Sequence, residues 1–155
     1  MNKFMKVAFD EASEGMKFGH GGPFGAVIVQ NGEIIACAHN QVLLTNDPTM
    51  HAEVAAIRKA TDKLGRYSLR DCEIYSTCMP CPMCLSAIIW AKIPKLYYGS
   101  SAEDAADAGF DDDYIYEYIR GGLADETRLK SNVLDAEPCG ELFAEWKKNP
   151  HKRMY

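Results

Sequence analysis

The chain has 155 residues, enough for one domain with a proper core. Hydrophobic residues at 47% and charged residues at 25% are the balance of a soluble globular protein, and no apolar run reaches the length of a membrane span. The formal net charge of −5 argues against a nucleic-acid partner, which needs Lys and Arg to replace counterions, and favours a small free substrate.

Asn2 to Phe18 carries Phe4, Val7, Ala8, Ala12 and Met16 on one helical stripe. Gly19-His20-Gly21-Gly22-Pro23 breaks it. These glycines miss the spacing of a phosphate-binding loop and lead into a strand, so His20 reads as a loop residue. Phe24 to Gln30 and Glu33 to His39, joined by Asn31-Gly32, predict a hairpin. Asn40 follows at the strand end, where side chains reach into ligand crevices; it reads equally as a turn residue.

Asp47-Pro48-Thr49 predicts a helix start and a helix from about Thr49 to Leu64, stopped by Gly65. Glu73 to Ser76 is a strand, Cys81 to Ala91 a helix opened by Pro80 and Pro82, and Lys95 to Tyr98 another strand. Strands alternating with helices imply an α/β layered domain with helices on both sheet faces. From Ser100 the composition turns small and acidic, ending in Asp111-Asp112-Asp113, a run that by itself reads as a solvated face or cap. An aromatic helix, Tyr114 to Arg120, is broken by Gly121-Gly122. Val133-Leu134 and a helix from about Glu137 to Lys148 precede a polar tail that finishes in Tyr155. The basic residues Lys147-Lys148 and His151-Lys152-Arg153 read as a solvated helix end. The N-terminus lacks the charged-then-apolar layout of a secretory signal, so the six cysteines read as thiols or metal ligands and the expected location is cytoplasmic. Cys37, Cys72, Cys78 and Cys139 are expected to be ordinary buried or half-buried thiols.

The chemistry concentrates in two stretches, His51-Ala52-Glu53 and Pro80-Cys81-Pro82-Met83-Cys84. Cys81 and Cys84, three apart, share one helix face, and a helix N-terminus favours thiolate over thiol. His51 and Glu53, two apart, would diverge in mid-helix but can both reach a group lying off a helix end. The pattern is similar to the H-x-E…P-C-x-x-C signature of zinc deaminases, with His51, Cys81 and Cys84 as ligands and Glu53 handling protons. Three protein ligands suit a catalytic site with room for water. A closed site completed by Cys78 leaves Glu53 without purpose, and a redox Cys81-x-x-Cys84 has no use for His51.

Gly21-Gly22-Pro23-Phe24-Gly25-Ala26-Val27-Ile28-Val29, Asn46 to Glu53, Cys81 to Cys84 and Ala108-Gly109-Phe110-Asp111-Asp112 together resemble the bacterial guanine deaminases of the cytidine-deaminase-like fold. The likeness spans almost the whole chain, and the Phe-Asp-Asp stretch and aromatic tail are its discriminating parts. It implies a three-layer α/β/α sandwich with a five-stranded mixed sheet, a single domain over residues 1–155, and one Zn²⁺ per chain. It also implies hydrolysis of guanine to xanthine and ammonia, with Asp112 as a second acid beside Glu53. Asn40 and the backbone of Ala52 would contact the base, within an aromatic cage of Phe24, Trp90, Phe110 and Tyr155; Trp90 reads equally as core packing. A homodimer is expected, with the segment of about residues 122–155 crossing to the neighbouring subunit. A tRNA adenosine deaminase is disfavoured by the acidic charge and short tail, and a cytosine or cytidine deaminase by a pocket built for two rings. A non-catalytic zinc-stabilised module leaves Glu53 idle.

Overall fold

In the computed structural model, which describes all of residues 1–155, the chain forms two compact units, Met1–Asp113 and Tyr114–Tyr155. The first is built on one mixed sheet. Helix α1 (Lys3–Lys17) is capped by the Asn2 side chain, which accepts from the Phe4 and Met5 amides. Strands β1 (Gly25–Gln30) and β2 (Glu33–His39) pair antiparallel through the Asn31-Gly32 turn, both residues at positive φ. One extra residue in β2, where Ile28 faces Ala36 and Val29 faces Ile34, makes a bulge. A short helix, α2 (Val42–Thr45), then precedes α3 (Ala52–Leu64), which ends on Gly65 in the left-handed conformation. Strand β3 (Cys72–Cys78) joins the other edge of β1 antiparallel, α4 (Pro82–Trp90) follows, and β4 (Lys95–Ser100) lies parallel to β3. The order across the sheet is β2-β1-β3-β4.

The two faces of the sheet carry separate apolar clusters. Ala26, Ile28, Ala36, Ala38 and Ile74 pack with Ala52, Ala55, Ala56 and Ala60 of α3 and Ile88 of α4. On the opposite face Val27, Val29 and Tyr75 pack with Ala8, Phe4 and Met5 of α1. The expected three layers are therefore present. Alanine predominates where α3 meets the sheet, and this lets the backbone come close and brings the start of α3 down onto the strand ends.

Three expectations need correction. The sheet has four strands, not five: no residue beyond Ser100 pairs into it. The stretch between Gly122 and the last helix has strand character only at Val133-Leu134, too short a run to form a ladder by itself. The second helix begins at Ala52 and not at Thr49, because Asp47 uses its carboxylate in a local turn, accepting from the Thr49 amide at 2.8 Å and the Thr49 hydroxyl at 2.6 Å. Cys139 is exposed, whereas Cys72 and Cys78 are buried and Cys37 half-buried as expected. The acidic stretch also forms a short helix, α5 (Ala102–Asp107), closed by a reciprocal capping box between Ser101 and Asp104.

The second unit contains α6 (Asp113–Arg120), which begins at its boundary, and α7 (Ala136–Lys148), with Lys147 and Lys148 in the last turn of α7. No helix of the chain is long and apolar enough to cross a membrane.

Gly25 marks where α1 meets the sheet: a Cβ there would run into the Ala8 carbonyl oxygen and the Ala12 amide nitrogen, both of them backbone. Gly25→Ala is expected to lose on the order of 1–3 kcal/mol, the usual range for overpacking a tight core, measured by denaturant unfolding. Wild-type stability in that variant would show that α1 does not seat as described.

Candidate metal centre and active site

Each half of the site sits at a helix start. His51 is the N-cap of α3 and Cys81 the N-cap of α4, both with extended backbone. Pro82 occupies the first position of α4, where a missing N–H costs nothing, and this places Cys84 one turn inside. Packing of α3 and α4 on the same sheet face brings the two starts together. His51 Nδ1 lies 3.6 Å from Cys81 Sγ and 3.5 Å from Cys84 Sγ.

Those distances test the fit to a metal. Tetrahedral zinc with ordinary Zn–N and Zn–S bonds separates a nitrogen and a sulfur ligand by about 3.6 Å. The three ligand atoms all lie within 4.8 Å of one another and form the one such cluster of His, Cys and acidic side chains. Cys78 does not join them; its thiol donates to the Ser101 carbonyl at 3.2 Å, so a site closed by a fourth cysteine is not what the chain builds. The hydrogen bond from Cys84, helped by His51, holds the Cys81 thiol down to about 4, while the Cys81 sulfur and burial push Cys84 far up. The surroundings of Cys81 thus favour its thiolate, the form in which a cysteine ligates metal.

Glu53 is 5% exposed and lies beside this cluster. Its carboxylate accepts from the Ser76 hydroxyl at 2.8 Å and contributes to raising both His51 and Cys84. Ser76 was missed in the sequence. Its signal is a hydroxyl among the core-facing positions Cys72, Ile74 and Cys78 of β3. Within the acidic run, Asp111 accepts from the Asp113 amide at 3.0 Å in a local turn; Asp112 alone of the three is partly buried. Burial, with the Cys81 sulfur next, raises Asp112, which in turn contributes to raising His51.

The substrate-binding candidates divide. Asn40, 6% exposed, donates its amide to the Phe24 carbonyl, and its Oδ1 accepts from the Val42 amide at 3.1 Å. Its carboxamide nitrogen has no protein partner, and no buried side-chain nitrogen or oxygen is left unpaired, so that NH₂ reaches open space. The next residue, Gln41, donates to the Met50 carbonyl at 2.9 Å, tying the end of β2 to the start of α3. Ala52 is fully buried, and as the first residue of α3 its N–H has no acceptor within the helix. Phe24 and Phe110 meet edge to face with ring centroids 5.0 Å apart. Trp90, at the far end of α4 from Cys84, is 69% exposed and makes no ring contact with them, and Tyr155 belongs to the second unit, where it is 74% exposed.

Residues 1–100 match the cytidine and deoxycytidylate deaminase zinc-binding region. The chain belongs to that family. It is 47% identical over 152 residues to the guanine deaminase of Bacillus subtilis, covering 98% of this chain and 97% of that one. The crystal structure of a guanine deaminase from the same organism superposes with a TM-score of 0.94, at 46% identity over 100% of this chain and 99% of the other. A tRNA-specific adenosine deaminase of Aquifex aeolicus is 43% identical over 97 residues, 63% of this chain and 64% of its own. A guanine deaminase from Nitrosomonas europaea is 28% identical, with a TM-score of 0.67 over 70% of this chain and 63% of the other.

Removing a ligand should remove the metal. His51→Ala and Cys81→Ser are each expected to fall well below about one zinc per chain by elemental analysis of the purified protein, since a catalytic site has only three protein ligands. Unchanged zinc in both variants would contradict the site.

Proposed function

We propose that the chain hydrolyses free guanine to xanthine and ammonia. The observation that carries this reading is the His51–Cys81–Cys84 triangle, with buried Glu53 beside it, in a chain that aligns end to end with a guanine deaminase. His51, Cys81 and Cys84 would hold one zinc ion per chain, which when bound polarises water enough for attack at neutral pH.

The protein's own groups handle the protons. Glu53, steadied on one oxygen by Ser76, takes the proton of the attacking water and passes it to a ring nitrogen, which makes C2 electrophilic. Asp112, with its carboxyl raised by burial, gives a proton to the amino group as the C2–N bond breaks, so ammonia leaves; the C2 hydroxyl gives up its proton as the carbonyl forms, and that proton restores the carboxyl. The Asn40 NH₂ and the Ala52 N–H donate to the base, and Phe24 and Phe110 lie against its faces or edges. Trp90 and Tyr155 complete the aromatic cage. Base–aromatic contacts of about 1–3 kcal/mol each hold a free base without phosphate contacts.

The partner of this chain is a second copy. β4 is an edge strand with Tyr97 and Tyr98 exposed, and α4 exposes Ile89 and Trp90, apolar side chains that a neighbouring subunit covers. The segment of about residues 122–155 crosses between subunits and brings Tyr155 to the neighbour's site. The free thiols agree with a cytoplasmic location. Ammonia release measured across guanine, adenine, cytosine and their nucleosides separates this reading from the tRNA adenosine and pyrimidine alternatives; guanine is the expected substrate.

Glu53→Gln is expected to keep its zinc and lose ~10²–10⁴ in turnover, the scale of general acid–base loss. Asp112→Asn should slow ammonia departure with zinc and guanine affinity retained, and Asp111→Asn and Asp113→Asn should be milder. Full activity in Glu53→Gln refutes the mechanism, and three equally harmless aspartate variants return that run to a simple cap.

Deletion of residues 151–155 should abolish most activity while leaving fold and zinc intact, because termini are ordered only when tied down. Co-expressed with Glu53→Gln, the deletion should regain activity in mixed dimers, each pairing an intact Glu53 with the partner's intact tail. No recovery in isolated mixed dimers means the tail acts on its own subunit.

A further inference from the structure

On the far side of β2 from the metal centre lies a second group of ionisable side chains. Along β2 the side chains alternate between faces, so His39 points to α1 while Asn40 is buried on the other side. Glu11 of α1 accepts from the Cys37 thiol at 3.2 Å through one oxygen, and its other oxygen lies 3.0 Å from His39 Nδ1. His39 Nε2 in turn lies 2.9 Å from His20 Nδ1, the rings edge to edge with centroids 5.1 Å apart and planes 26° from parallel. Burial and the bond to Glu11 push the Cys37 thiol up to about 11, so it remains a donor.

A carboxylate only accepts, so His39 Nδ1 carries a hydrogen; with the imidazole of His39 neutral, its Nε2 is the acceptor and His20 Nδ1 the donor. The hydrogen bonds therefore run in one direction, from the Gly19–Pro23 loop through β2 to α1. His20, a mere loop residue by sequence, is the outer end of this relay. Its backbone continues the connection: the His20 carbonyl accepts from the Leu43 and Leu44 amides of α2 at 3.0 and 3.1 Å, and its amide donates to the Gly15 carbonyl at 2.9 Å. The next residue, Gly21, lies flat against the Asn40 carboxamide, where a Cβ would collide with Asn40 Oδ1. Val42 of the same short helix donates to that Oδ1.

We propose that Glu11, His39 and His20 are positioning residues for substrate: their relay fixes Gly21 and α2 around the Asn40 carboxamide, so that its NH₂ is held toward the base. This rests on the reading of Asn40 as a substrate ligand. None of the three side chains touches the reacting atoms. Their effect passes through one residue that binds substrate and transition state alike, so it belongs in KM more than in kcat.

The test is steady-state guanine deamination by His20→Leu, His39→Leu, Glu11→Leu and Glu11→Gln, each also combined with Asn40→Ala, with zinc content and thermal unfolding measured in parallel. The leucine variants are expected to raise KM about tenfold, on the order of 1.4 kcal/mol, with kcat within about threefold and zinc unchanged. Glu11→Gln keeps an acceptor oxygen for His39 and should stay near wild type. In the Asn40→Ala background the leucine substitutions should add nothing. KM unchanged in the leucine variants while Asn40→Ala raises it, an equal effect with and without Asn40, or a lowered unfolding temperature with KM unaltered, each overturns the relay. An unaltered KM in Asn40→Ala instead overturns the substrate role of Asn40, and the inference falls with it. Should His39→Leu fail to fold, His20→Leu and the two Glu11 variants decide the matter.

Discussion

Two helices begin beside one another, and each puts a side chain suited to binding metal, His51 or Cys81, at its N-cap position. A usual cap turns its side chain back onto the helix amides and contributes ~1 kcal/mol. His51 makes no such bond, because its ring faces the two cysteines of the other helix. Cys81 does both, accepting from the Cys84 amide while facing His51. The two helix N-termini then put partial positive charge beside the Cys81 and Cys84 sulfurs, where it favours thiolate. As the first residue of α3, Ala52 has an N–H with no acceptor inside the helix, whatever His51 does.

The charge arrangement follows from this. Glu53, Asp112 and the Cys81 sulfur are acidic neighbours in a chain that is already acidic overall. Left alone, they oppose one another: Asp112 is raised partly by Cys81, and Cys84 partly by Glu53. Two helix N-termini directed at the same place offset part of that opposition. The Ser76 hydroxyl limits Glu53 to one orientation without neutralising it.

The sheet separates two tasks by face. Asn40 and the strand ends look toward α3 and α4, whereas His39 and Cys37 look toward α1. A one-residue change of register in β2 would exchange the faces and destroy both. The bulge at Ile34–Ala36 absorbs an irregularity near the turn, and pairing is regular from Ala36 to His39, where register matters to the site.

By itself the sequence determined what depends on local spacing. The hairpin follows from Asn31-Gly32, the stop of α3 from Gly65, and the placing of His51, Cys81 and Cys84 at helix starts from Pro82 and the spacing around them, since φ preference, side-chain period and capping act over a few residues. Glu53, two residues after His51, falls in the first turn of α3 for the same reason. What required tertiary structure was every choice between chemically similar residues. Asp112 differs from Asp111 and Asp113 in burial, Cys78 differs from Cys81 in which way its sulfur turns, and Ser76 matters because β3 passes under Glu53. His20 and Glu11 are nine residues apart in the chain and meet only through His39, 19 residues beyond His20. Such pairings depend on which strand faces which helix, a property of the packed sheet that local spacing does not encode.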